Sequence, residues 1–157
     1  MGKDTRNYLT EKSFPNSFKE PFEITSPKTS EYNCLAWALD DNTKWYESDD
    51  DYYWFNGIAR NNTLNTIQAI FENLGFQRTD NIEFQLGIER IALFSKDNDE
   101  CLHLASQIDN DKWTSKLGSS YDVIHSLKSI ENGIYGKAVV FLERSNTLHQ
   151  FAVIPNE

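Results

Sequence analysis

Two cysteines and three histidines are the residues of this 157-residue chain best suited to nucleophilic chemistry. Cys34 lies in the run Tyr32-Asn33-Cys34-Leu35-Ala36-Trp37-Ala38-Leu39. Asn is a favoured N-cap residue, and Ala and Leu are strong helix formers, so Cys34 is expected at the first position of a short helix. There the helix dipole and free N–H groups favour a thiolate. The same groups stabilise an oxyanion that develops on a bound carbonyl. A thiolate needs a proton acceptor, usually histidine. His103 is the leading candidate, on a strand face with small or polar neighbours. His125, in a helical pattern close to Asp122, and His149 are the others. The expected chemistry is attack on a carbonyl by Cys34, with His103 accepting and returning the proton. Ser115 or Gln107 is expected to orient the imidazole. The backbone N–H of Cys34, with the Asn33 side chain, is expected to hold the oxyanion.

Other constellations are weaker. Cys101 shares a predicted strand face with His103 and is an alternative nucleophile or a metal ligand. A zinc set of Cys34, Cys101, His103 and His125 lacks the paired spacings of structural zinc sites, so no metal is expected. The stretch 40–55 alternates acids with aromatics. Six acids (Asp40, Asp41, Glu47, Asp49, Asp50 and Asp51) surround one base, Lys44. It lacks the glycine and closing glutamate of an EF-hand loop. It reads as a solvated loop, and Trp37, Trp45, Trp54 and Asp49–Asp51 form the expected substrate or partner surface, since exposed aromatics anchor interfaces. A phosphate-cradling glycine loop and a Gly-x-Ser-x-Gly elbow are both missing, so nucleotide and serine-esterase chemistry find no support and no cofactor is expected.

These residues must be positioned by the elements around them. Residues 1–31 hold three of the four prolines and read as an extended arm anchored by Phe14, Phe18, Phe22 and Ile24. Leu64, Ile67, Ile70, Phe71 and Leu74 recur at three and four residues after Thr63, which predicts a helix ending at Gly75. Residues 76–79 and 89–96 read as strands. Residues 100–108 alternate, with Leu102, Leu104 and Ile108 on one face and Cys101, His103, Ala105 and Gln107 on the other. A turn at 109–111 leads into a returning strand at 112–117. The spacing of Val123, Ile124 and Leu127 predicts a helix over 121–130, and 138–142 and 150–154 read as final strands. A helical N-terminal half before an antiparallel sheet is an α+β order.

Composition narrows the function classes. The formal charge is −9, which argues against a nucleic-acid binder or an electrostatic hold on anionic membranes. Two cysteines do not make a disulfide framework. No apolar run reaches the length of a transmembrane helix, and no signal peptide is visible, so a cytoplasmic location is expected, with export by a route without a cleaved signal left open.

Three stretches resemble the signature of an uncharacterised, mainly bacterial domain family. They are residues 22–27 leading into Tyr32-Asn33-Cys34-Leu35-Ala36-Trp37-Ala38; Gly87-Ile88-Glu89-Arg90-Ile91-Ala92-Leu93-Phe94; and 103–107 followed by Trp113-Thr114-Ser115-Lys116-Leu117-Gly118. In that family the second block typically reads Gly-Phe-Glu-Lys-Ile-Ala-Leu-Tyr and the third Thr-His-Ala-Ala-Arg-Gln. Leu102 and Leu104 replace the usual flanks of the histidine here. The order of cysteine helix, histidine strand and polar-bearing strand resembles papain-like cysteine hydrolases. That resemblance implies a papain-like α+β fold, N-terminal helices packed on an antiparallel sheet, in one domain over 22–157 with an arm over 1–21. It implies a hydrolase or acyltransferase acting on amide bonds as peptidase, amidase, deamidase or transglutaminase, with a protein or peptide substrate. The alternative is a non-catalytic acidic binding or inhibitor protein that uses the 40–55 loop.

Overall fold

Strands dominate because the apolar runs of the second half, such as Ile91–Phe94 and Ala138–Leu142, are short and pack on both faces of a sheet. The computed structural model describes residues 13–18, 21–26, 31–39, 44–47, 54–117 and 121–145. Seven strands form one sheet: β1 (Glu23–Ser26), β2 (Gln77–Arg78), β3 (Ile88–Ser95), β4 (His103–Asp109), β5 (Lys112–Lys116), β6 (Asp122–His125) and β7 (Lys137–Ser145). The order across the sheet is β1-β6-β5-β4-β3-β7-β2, and the paired strands are antiparallel. Among the described residues the short helical segments include α1 (Cys34–Ala38), α2 (Leu64–Glu72) and α3 (Leu127–Ile130). A 3-10 turn spans Pro15–Phe18.

This corrects the expected papain-like α+β architecture with a helical N-terminal half. The molecule is β-rich, and the arm itself supplies a strand, β1, to the edge of the sheet. The predicted helix over 121–130 is also overturned. Residues 122–125 are β6, paired through Val123 with Ser115 and through Ile124 with Thr114. The β-branched pair fits a pleated surface, and that tertiary pairing outweighs the helical spacing. Only the last turn survives, as α3, capped by the Ser126 hydroxyl, which accepts from the Ser129 N–H. The expected helix after Thr63 is α2, with the Thr63 side chain as cap. The strand expected over 150–154 lies outside the described residues.

The two sheet faces carry separate cores. Leu93, Leu104, Val140 and Leu142 point to one face and are covered by Leu35 of α1 and by Leu64, Ile67, Ile70 and Phe71 of α2. Ala92, Phe94, Ala105 and Trp113 point to the other, where Phe14 of the arm and Ile130 of α3 close over them. Phe14 is 4% exposed, so the arm is part of the core and not an appendage.

Candidate functional site

Asn33 begins α1. Its side-chain oxygen accepts from the Ala36 N–H at 3.2 Å and from the Tyr46 N–H at 3.3 Å. Its amide donates to the Tyr46 carbonyl at 2.6 Å. Asn33 is thus both cap and brace for the 44–47 segment, with one of its two amide donors engaged by the Tyr46 carbonyl. Cys34 follows at the first helical position and packs partly buried against the α-covered core. Burial pushes its thiol up to about 11, against opposing backbone N–H groups of Leu104 and Leu35, and Glu47 adds to the rise. Cys101 is driven further, to about 12, mainly by burial and next by Cys34; its thiol donates to the His103 carbonyl at 3.5 Å. Asn33, Cys34, Tyr46, Asn62, Cys101 and His103 border one cavity of about 110 Å³.

His103 is the first residue of β4 and pairs with Phe94. Alternation puts its side chain on the face of Phe94 and Ala105, while Cys34 packs on the face of Leu104. The ring stacks on Tyr135, with centroids 3.9 Å apart and planes 1° from parallel. The residue is fully buried, and neither ring nitrogen has a hydrogen-bond partner. The structure therefore brings Cys34 and His103 to the wall of one cavity without joining thiol to imidazole. Burial, followed by the nearby His125, holds His103 well below its ordinary pKa.

The two residues expected to orient His103 serve elsewhere. Ser115 lies 2.8 Å from Nε2 of His125, whose Nδ1 donates to the Ser126 carbonyl at 2.9 Å. That second bond fixes Nε2 as the acceptor, so the Ser115 hydroxyl donates. Burial lowers His125 to about 4. Gln107 accepts from Arg90 at 2.7 Å and donates to the Ile82 carbonyl at 2.7 Å. Arg90 is itself 1% exposed and reaches Glu143 at 2.8 Å and the Glu83 carbonyl.

On the α1 face the sequence hid a polar group. The Tyr32 hydroxyl donates to Asp122 at 2.5 Å, and the Lys116 ammonium lies 5.2 Å from the Tyr32 ring centroid. Asp122 and Lys116 are fully buried, and burial lowers Lys116 while Asp122 opposes the shift. An Asp and a Lys opposite each other on adjacent strands were the available signal, masked by reading 121–130 as a helix. Nearby, the Trp37 indole donates to Thr114 at 3.1 Å.

Trp37 also borders an open groove of about 280 Å³ with Leu39, Leu74, Phe76, Ile108 and Arg144 among its walls. Leu74 and Ile108 are more than two-fifths exposed. Arg144 lies over the Phe76 ring and pairs with Glu89. Trp45 and Trp54 are half-buried, donating to Glu47 at 3.1 Å and to the Ala59 carbonyl at 2.9 Å. Asp49, Asp50 and Asp51 lie outside the described residues. Among the described residues no three His, Cys, Asp or Glu side chains cluster to hold a metal ion, and no helix is long and apolar enough to cross a membrane.

These features define a sheet-centred domain with a capped thiol on one face and a buried histidine pair on the other. The chain belongs to a family known as a domain of unknown function, DUF7689, whose profile matches residues 23–143. No curated protein and no solved structure matches significantly.

Proposed function

We propose that this chain is a non-catalytic binding protein that seats a protein or peptide partner on the groove between α1 and the Leu74–Phe76 corner. The observation that carries the reading is the groove itself: a recess of mixed polarity with Trp37 in its wall, half-exposed Leu74 and Ile108 beside it, and the Arg144 guanidinium and Glu89 carboxylate among its polar groups. Aromatic, aliphatic and Arg side chains in a concave setting are the usual anchors of recognition. The formal charge of −9 favours a basic partner by long-range steering. The protonated state of a thiol raised to about 11 speaks for binding over thiol chemistry. The test is site-specific photo-crosslinking from position 74 in the native host. A discrete crosslinked partner that is lost with Ile108→Arg and kept with Cys34→Ala supports the reading. A crosslinking pattern indifferent to Ile108→Arg sinks it.

A second reading is a cysteine hydrolase or acyltransferase acting on amide bonds, with Cys34 as nucleophile and His103 as base. One observation favours it: both residues border the same cavity, and because the His103 ring lies on the other face of the sheet, the reading requires that ring to swing to the Cys34 side. Buried polar atoms without partners call for an explanation, and proton transfer is one. Rapid labelling of Cys34 by an amide-mimicking electrophile, abolished by replacing His103 with Ala, is the outcome that would promote this reading over binding.

A further inference from the structure

His103 and His125 stand at the two ends of a chain of aromatic rings on the face opposite α1 and α2. His103 stacks on Tyr135, and Tyr135 meets Phe14 at 5.4 Å. Phe14 meets Phe22 edge-on at 5.2 Å, and Phe22 lies 5.8 Å from His125. The two phenylalanines come from the arm, which is fastened at several points. The Ser13 carbonyl accepts from the Ile134 N–H at 3.0 Å. The Asn16 amide donates to the Lys128 carbonyl at 2.9 Å and to that of Glu131 at 3.2 Å. Strand β1 pairs with β6 from Glu23 to Ser26.

Protonation has unequal consequences at the two ends. Neutral His103 already forgoes partners at both nitrogens. Its cation would place a charge and a second N–H donor in a fully buried site where no protein group accepts from either nitrogen, a far larger cost. At His125 a proton on Nε2 turns an acceptor into a donor, which the Ser115 hydroxyl can meet by accepting. Two cations on one face also repel. Among the described residues the charged or titratable neighbours on the elements packed here offer little compensation. Arg90 and Glu143 are paired with each other, Glu131 accepts from the Ala138 N–H, Asp111 accepts from the Leu127 N–H at the exposed surface, Lys128 and Glu23 are exposed, and Tyr135 is held neutral by burial. The carboxylate of Asp122 is turned to the opposite face, towards Tyr32.

We propose that residues 13–18 and 21–26 form an acid-released strap: proton uptake by His103 and His125 breaks the ring chain, frees Phe14 and Phe22, and opens this face of the sheet while the α1–α2 face stays packed. Both imidazoles bind protons more weakly in the closed form than in an open one. The closed form is thus fully favoured above an ordinary histidine pKa of about 6.5 and loses ground as pH falls from there towards 4. Each proton taken up only on opening raises the opening constant about tenfold per pH unit in that window.

The test is hydrogen exchange read by mass spectrometry between about pH 7.5 and about pH 5, corrected for intrinsic exchange. Peptides covering 13–26, 122–125 and 134 are expected to exchange about tenfold or more faster per unit below about pH 6.5, while β3, β7 and α2 keep their protection. The double variant His103→Phe with His125→Gln keeps the ring stack and the hydroxyl partner, and its strap is expected to stay protected. Unchanged strap exchange in the wild type, the same acceleration in the double variant, or simultaneous loss across all strands overturns the proposal. Should the variant fail to fold, a proton titration of the wild-type histidine ring signals decides: either ring titrating near about 6.5 with the strap still protected overturns it as well.

Discussion

Cys34 and Cys101 show how burial disarms a side chain that its type alone would mark as reactive. A thiol raised from 9.0 to about 11 holds about a hundredfold less thiolate at neutral pH than an ordinary cysteine. Alkylation of Cys34 by iodoacetamide at neutral pH is therefore expected to be at least that much slower in the native protein than in denaturant. The native rate should climb as pH rises towards 11, and a native rate equal to the denatured one would contradict the packing described. Tyr32 makes a second case. Replacing Tyr32 by Phe removes a donor from a fully buried carboxylate and should cost about 1–3 kcal/mol in urea unfolding. Cys34, Asn33 and Trp37 were legible as a capped helix start because capping is local chemistry. The partner of Ser115 was not, since His125 reaches it across a strand pair that sequence spacing cannot register.

Among the elements, α2 was readable from its apolar spacing and its Thr63 cap, and Gly75, with φ of 95°, takes the left-handed turn that ends it. Thr63→Ala should cost about 1 kcal/mol and lower the thermal midpoint by about 2–4 °C. The alternation that split Leu104 from His103 was equally readable, and it is this alternation that parts Cys34 from His103 across the sheet. What stayed hidden was β6, whose Val-Ile pair serves a strand or a helix until its neighbours are known. Gly133 marks where the arm meets the body. A Cβ there would sit 2.2 Å from the Ser13 carbonyl and 3.1 Å from the Phe14 Cα, both backbone atoms. Gly133→Ala is expected to lift residues 13–18 and raise their proteolytic susceptibility, leaving the protection of α2 amides unchanged; equal loss in α2 would show the arm is not a separable unit.

At the scale of the molecule, Arg90 ties together segments that are distant in sequence. It reaches the Glu83 carbonyl, Gln85, Gln107 of β4 and Glu143 of β7 from its own place in β3. Truncation to Ala strands these partners and leaves the Glu143 carboxylate without its counter-charge, at an expected cost of about 3–5 kcal/mol in chemical denaturation. The double variant with Glu143→Gln should recover part of that loss. The papain-like expectation failed at this scale. A cysteine helix followed by a histidine strand is an order of parts, and the same order is compatible with several sheet topologies.

The position of β1 also bears on how the chain reaches this state. Glu23 pairs with Ile124 and Ile24 with Val123, so the first strand closes a loop of about a hundred residues onto a partner made late. Such a closure carries a large entropy cost before any contact rewards it. On a ribosome the arm must wait, unpartnered, until β6 has emerged. The hairpin of β4 and β5, joined at Asp109–Lys112, pairs residues close in sequence, whereas β1 needs β6 in place before it can pair.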